Sequence, residues 1–141
     1  MKLDSIDKNK RPKKILVLNL DETLVHIVLE AAMPPQRYDF KLPASVLHST
    51  KRFGFAYVQV RPGFSNFLLQ MSQFYRVVLY TTGKADYGDM IMDMLDPARL
   101  SVKRLYREHC NQFKQILILD LTRLGRQMED VILLDNSENS F

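Results

Sequence analysis

The chain has 141 residues, 46% of them hydrophobic and 26% charged, with a formal net charge of +4. That length suits one domain with a single substantial core, and the balance excludes disordered and collagen-like classes. A lone cysteine, Cys110, excludes an internal disulfide and points to a reducing, intracellular setting with a buried, inert thiol.

Residues 1–14 read as a basic arm, with Lys8, Lys10, Arg11, Lys13 and Lys14 crowded ahead of the first apolar run. A solvated arm is the expected state, and a nuclear-import or RNA-contacting patch is the sharper alternative. No aromatics are interleaved with these charges, which argues against nucleic acid. The arm lacks the apolar stretch of a signal peptide, and Asp4 and Asp7 sit badly in a mitochondrial presequence. No apolar run approaches the roughly 20 residues that span a bilayer. Nucleus, cytoplasm and an organelle such as the mitochondrion all stay open.

Residues 15–18 are continuously apolar and lead into Asn19-Leu20-Asp21, the pattern of a parallel strand buried on both faces. From about 27 to 60 the pattern is less regular, broken by Pro34-Pro35. Residues 38–42 and Phe55–Val60 there suit strands of an antiparallel insertion. Arg61-Pro62-Gly63 is expected to open a helix with the proline near its first turn. Phe64, Phe67, Leu68 and Met71 give that helix one buried stripe. Residues 75–80 are a second buried strand, ending in Thr81-Thr82-Gly83. A second helix follows, with Tyr87, Met90, Ile91, Met94 and Leu95 as its core stripe and Asp96-Pro97 as its stop. Ile116–Leu119 and Val131–Leu134 are further apolar runs, the last closing on Asp135-Asn136-Ser137.

Strands alternating with helices predict a three-layer, Rossmann-like α/β fold. Its mainly parallel sheet is expected to pair residues 15–20, 75–80, Ile116–Leu119 and Val131–Leu134. Crevices in such sheets lie beyond the carboxyl ends of the strands, where Asn19/Asp21, Thr81/Thr82 and Asp135/Asn136 fall. Phosphoryl transfer needs a nucleophile, a metal to neutralise oxygens, and a cation or hydroxyl to hold the rest. Asp21 and Asp135 are acids able to share Mg²⁺, and Thr81 offers a hydroxyl. Ordinary polar strand ends and helix caps would present the same residues, so both readings stand on these positions alone.

The segment NLDETLVH, from Asn19 to His26, resembles the DLDETLVH signature of the FCP/SCP-type C-terminal-domain phosphatases. These are the NLI-interacting-factor-like members of the haloacid-dehalogenase superfamily, and they act on phosphoserine in proteins. The likeness continues in order through Arg61-Pro62-Gly63, Tyr80-Thr81-Thr82, RLYREHC at 104–110, DLTRLGR at 120–126 and LDNS at 134–137. The resemblance implies a haloacid-dehalogenase fold over residues 15–141, short of the family's usual closing strand and helix. It implies Asn19 at the nucleophile and metal position, and Asp21 as general acid/base with a metal-binding carbonyl. It further implies Thr81, with Thr82 beside it, at the phosphate, Leu119 at the motif-three lysine position, and Asp135 and Asn136 at the metal.

Two departures therefore fall on the most reactive positions. An amide at 19 cannot form an aspartyl-phosphate, and Leu119 removes the cation that offsets phosphoryl charge. Losing a nucleophile costs roughly 10⁶-fold in a serine hydrolase, and losing an oxyanion contact roughly 10²–10³-fold. The expectation is a pseudophosphatase that binds or scaffolds protein partners, a phosphoprotein among them, with Mg²⁺ held weakly or not at all. Two alternatives stand beside it. One is an active Mg²⁺-dependent serine/threonine phosphatase seen as an Asp-to-Asn trapping substitution, with Lys114 reaching the phosphate. The other is a structural or receptor subunit like the mitochondrial presequence-translocase member of the family. Lys84, where the family's small phosphatases carry an apolar residue, predicts loss of their hydrophobic pocket for a proline-containing peptide.

Overall fold

The computed structural model describes residues 12–29, 35–47 and 54–138. Most of the basic arm and Pro34 lie outside the described residues. Along the chain come β1 (Ile15–Asn19), β2 (Val25–Leu29), β3 (Phe40–Pro43), β4 (Phe55–Val60) and α1 (Phe64–Phe74). Then follow β5 (Arg76–Tyr80), α2 (Ala85–Leu95), β6 (Lys103–Leu105), β7 (Cys110–Phe113), β8 (Ile116–Leu119) and β9 (Val131–Leu134).

All five residues of β1 are buried, as a strand covered on both faces requires. It pairs in parallel with β5 on one side and β9 on the other, and β6 adds beyond β5 in the order β6-β5-β1-β9. The register sets Leu18 opposite Leu79 and Leu134, and Asn19 opposite Tyr80. Three strands thus release their polar tails at one level. Side chains alternate between two cores. Leu16, Leu18, Val77 and Leu79 meet Phe64 and Leu68 of α1 and Ile91, Met92 and Leu95 of α2. On the opposite face Ile15, Val17, Val78 and Tyr80 meet Leu105, Leu119 and Leu121.

Several sequence expectations shift by a residue or more, each for a physical reason. Ile116–Leu119 does not join the parallel sheet; it forms an antiparallel hairpin with β7, and only Leu119 in it is buried. Periodicity cannot separate a strand buried on both faces from a hairpin arm whose Ile116 stays exposed. The fourth parallel strand is instead β6, whose three residues KRL carry no apolar run. Helix α1 starts at Phe64, because Gly63 caps it at φ +81° and leaves Pro62 in the preceding turn. Helix α2 buries Tyr87, Gly88, Ile91, Met92 and Leu95, while Met90 and Met94 are exposed. Gly88 turns that face inward, since a Cβ there would stand 2.9 Å from the Tyr106 ring.

The insertion is a three-stranded antiparallel sheet, β2-β4-β3, that begins at Val25, just ahead of the expected start. Lys13 and Lys14 are not free: their ammonium groups donate to the carbonyls of Ser72 at 3.0 Å and Glu129 at 2.9 Å. Among the described residues no helix is long and apolar enough to cross a membrane.

Candidate active site

Asn19 ends β1 and is 7% exposed. Its Nδ2 donates to Asp135 Oδ2 at 2.8 Å, joining the ends of β1 and β9. Its Oδ1 is buried without a hydrogen-bond partner, a state that costs about 1–3 kcal/mol. Asp135 Oδ1 accepts the Ser137 N–H at 2.9 Å, a local turn that fixes the loop after β9.

Asp21 sits in the turn after β1, folded by the Leu24 N–H to the Leu20 carbonyl at 2.9 Å. Its carboxylate accepts the Thr81 hydroxyl at 2.5 Å and the Tyr87 hydroxyl. Thr81 is fully buried, and its Oγ1 also accepts the Gly83 N–H at 2.9 Å. Burial, and then the Asp21 charge, raise the Tyr87 pKa far above the usual phenol, so this hydroxyl acts as a proton-bearing donor. Tyr80 is likewise raised, by burial first and then by the Cys110 thiol 3.7 Å from its hydroxyl. Cys110 is half-buried rather than buried as the sequence suggested, and that partial burial still pushes its thiol pKa up.

The remaining positions fall around this pair of contacts. Leu119 is 3% exposed and packs with Val17, Val78, Tyr80, Leu105 and Leu121. Lys114 lies at the tip of the β7–β8 hairpin with its ammonium 5.6 Å over the Phe113 ring. The Phe113–Ile116 pair beside it stands three pairs from Cys110–Leu119, about 10 Å along the strand. Asn136 lines, with Asp135 and Arg61, a cavity of about 450 Å³ walled by Leu18, Phe64 and Phe67. Thr82 turns toward another cleft, and its carbonyl accepts Arg107 Nε at 2.7 Å.

The fold therefore unites Asn19 with Asp135 and Asp21 with Thr81, and leaves Leu119 in an apolar cluster. Sequence reasoning missed two features. Tyr87 read only as a core residue, although a tyrosine buries its ring and still seeks a partner for its hydroxyl. Nor was a cleft of about 330 Å³ foreseen that Lys84 and Arg107 share with Ile27, Leu29, Val46 and Leu47.

A Mg²⁺ ion would find Asn19 Oδ1, the Asp21 carbonyl and Asp135 at the strand ends. Only one formal charge stands among them, and the Asn19 N–H already occupies Asp135 Oδ2. Mg²⁺ is held through one or two carboxylates together with retained waters, and Asp135 is the one carboxylate side chain in this set.

Residues 14–141 match the family model of NLI interacting factor-like phosphatases. The chain belongs to that family. As an FCP/SCP-type domain it falls within the haloacid-dehalogenase superfamily. This NLI interacting factor-like domain is 37% identical over 128 residues to a probable C-terminal domain small phosphatase of Dictyostelium discoideum. The match covers 91% of the chain and 40% of that protein. It is 37% identical over 129 residues to the CTD small phosphatase-like protein of Homo sapiens, covering 92% of the chain and 45% of that protein. The domain thus spans less than half the length of either relative. In fold it is similar to the fission yeast RNA polymerase II CTD phosphatase Fcp1 solved with beryllium fluoride. That likeness has a TM-score of 0.73 at 20% identity, over 92% of this chain and 38% of that one.

Proposed function

We propose that this domain is a phosphatase-like binding module without phosphatase turnover, working through protein partners. The observation that carries the proposal is the hydrogen bond from Asn19 Nδ2 to Asp135 Oδ2. An amide donor stands where the family resemblance puts the attacking carboxylate, and an amide does not form an acyl-phosphate. Leu119 supports the same conclusion, since its side chain fills an apolar cluster and offers nothing to offset phosphoryl charge. Asp21, Thr81 and Asp135 keep the geometry of a phosphate crevice without its reactive group. Mg²⁺ binds weakly or not at all, for want of a second carboxylate at the strand ends. Relatives named for a C-terminal domain support a protein segment as the ligand.

Steady-state hydrolysis of p-nitrophenyl phosphate by four chains tests this: the unaltered one, Asn19→Asp, Leu119→Lys and the double variant. The first should show no turnover above buffer, and each single variant little. Groups acting as a unit are non-additive, so the double variant is expected to gain Mg²⁺-dependent activity beyond the sum of the singles. Robust hydrolysis by the unaltered chain overturns the proposal. Robust activity in Asn19→Asp alone assigns the missing cation to another residue and makes the amide a trap.

A further inference from the structure

The amino ends of the parallel strands form the face opposite the crevice. The order β6-β5-β1-β9 sets the segments that lead into them side by side. Backbone bonds hold the row, with the Val102 N–H on the Val77 carbonyl at 2.8 Å and the Arg76 N–H on the Lys14 carbonyl at 2.9 Å. Three large apolar side chains stand out from it: Val102 ahead of β6, Phe74 at the end of α1, and Met128 in the turn before β9. They are 53%, 65% and 50% exposed. Exposed lysines alternate with them, Lys103 opening β6 and Lys13 and Lys14 leading into β1. An ammonium has three donors, so the carbonyls of Ser72 and Glu129 occupy one each on Lys13 and Lys14 and leave their charge in place. The carboxylates at this end are fewer. Asp130 lies 3.9 Å from Lys14 with Glu129 beside it, and Asp96 is 1% exposed, its oxygens on the Leu100 and Ser101 N–H groups.

We propose that this face docks the domain on an anionic membrane surface, Phe74, Val102 and Met128 entering the headgroup layer and the three lysines pairing with lipid anions. The inference goes beyond the binding-module reading and does not depend on it. Charge and shape together select the occupant. Lysines in excess over exposed carboxylates call for an anionic partner. The apolar side chains each cap a separate turn, and a fluid headgroup layer accepts such scattered wedges. A nucleic-acid backbone would pair the lysines and leave Val102 and Met128 with nothing to contact. At a bilayer both classes are satisfied, because a lysine lays its aliphatic stem along the apolar layer and keeps its ammonium among the headgroups. Lys8, Lys10 and Arg11 precede Lys13 in sequence and bring further cations close to the same face. Strand β1 runs away from it, and its five residues carry the crevice about 17 Å farther from the lipid.

Vesicle co-sedimentation of the whole chain tests the proposal, with phosphatidylcholine alone and with phosphatidylserine added. Binding should require phosphatidylserine and weaken as KCl rises. Lys103→Gln should weaken it about fivefold, the worth of one lysine near an anionic surface, and Lys103→Arg should restore it. Neither should move the melting temperature, since Lys103 is exposed. A second readout separates this face from tethering by the basic arm alone. The chain has no tryptophan, so Phe74→Trp reports only its own surroundings. On phosphatidylserine vesicles its emission should shift to the blue and be quenched by brominated lipid, while Tyr38→Trp, on the insertion, should do neither. No binding that depends on phosphatidylserine, binding that Lys103→Gln leaves unchanged, or a Phe74→Trp emission that stays as in buffer each overturns the proposal. Binding to polyglutamate or duplex RNA without vesicle binding assigns the lysines to an acidic protein or a nucleic acid and overturns it as well.

Discussion

Exchanging a carboxylate oxygen for an amide nitrogen changes what the end of β1 can hold. Two carboxylates 2.8 Å apart would repel and call for a cation or proton between them, whereas Asn19 supplies an N–H to Asp135. Asn19→Asp is therefore expected to lower the melting temperature in EDTA and to regain part of it in Mg²⁺. The unaltered chain should melt at one temperature in both buffers. Scanning fluorimetry distinguishes these outcomes, and a Mg²⁺-dependent rise in the unaltered chain counts against the donor-set argument. Leu119→Lys carries an ammonium into the cluster of Val17, Tyr80 and Leu121. Unpaired, it should cost about 3 kcal/mol in urea unfolding. With Asp at 19 the loss should be smaller, because a carboxylate then faces the strand-end region. Equal losses in both backgrounds would show that residues 19 and 119 do not interact.

Helix α2 is the element on which the crevice and the sheet meet. Its Tyr87 reaches Asp21, Gly88 lies under the Tyr106 ring, and Asp89 accepts both Arg104 at 2.8 Å and the Tyr106 hydroxyl at 2.5 Å. Gly88→Ala gains helix propensity of up to about 1 kcal/mol but presses a Cβ on Tyr106, an overpacking of about 1–3 kcal/mol. A net loss near 1 kcal/mol is expected, with Tyr106 displaced from Asp89, and chemical denaturation measures it. Burial works to raise the Asp89 pKa, yet the Tyr106 and Arg104 hydrogen bonds outweigh it and hold the carboxyl below its usual value. A depressed folded pKa adds stability that is present above the unfolded value of about 3.9 and lost as pH falls through the folded one. Arg104 is buried, but the Asp89 side chain is 47% exposed, so solvent screens the carboxylate and the effect is modest. Asp89→Asn should flatten the acid limb of the stability curve below about pH 4 and leave its slope near neutrality alone. An unchanged acid limb would mean that Arg104 turns wholly to Asp93, its other partner at 2.8 Å.

At the scale of the whole molecule, the two faces of the sheet differ in how well they are closed. Among the described residues β9 pairs only with β1, and Ile132 and Leu134 are exposed on the α1 side. Leu134 also lines the cavity of about 450 Å³ beside Phe64 and Phe67. An open strand edge next to uncovered apolar side chains templates pairing with another chain. The isolated chain is expected to self-associate as concentration rises, and Leu134→Lys should return it toward monomer in sedimentation velocity. Association unaffected by that change would place the contact elsewhere, for instance on the exposed Phe113 and Ile116 of the hairpin. The closed interior behaves differently: Leu68, 1% exposed between α1 and the sheet, should cost about 2–5 kcal/mol as alanine.

Local pattern alone determined the strands β1, β4, β5 and β9, because continuous apolar runs have few other uses and their ends carry polar residues. The family motifs placed Asn19, Asp21, Thr81 and Asp135 at those ends before any contact was visible. Ile116–Leu119 was beyond that reach, since the same four letters suit a central strand or a hairpin, and only its pairing with Cys110–Phe113 chooses. The Met90/Met94 stripe failed likewise: Gly88 can turn a helix face inward only if an aromatic ring, Tyr106, waits fifteen or more residues on to fill the space. The Tyr87 to Asp21 bond and the aliphatic floor beneath Lys84 join residues from distant segments, so they exist only once the insertion is laid against α2. A sequence records which groups are available at each position, and side chains meet across such separations only through the packing that long-range burial selects.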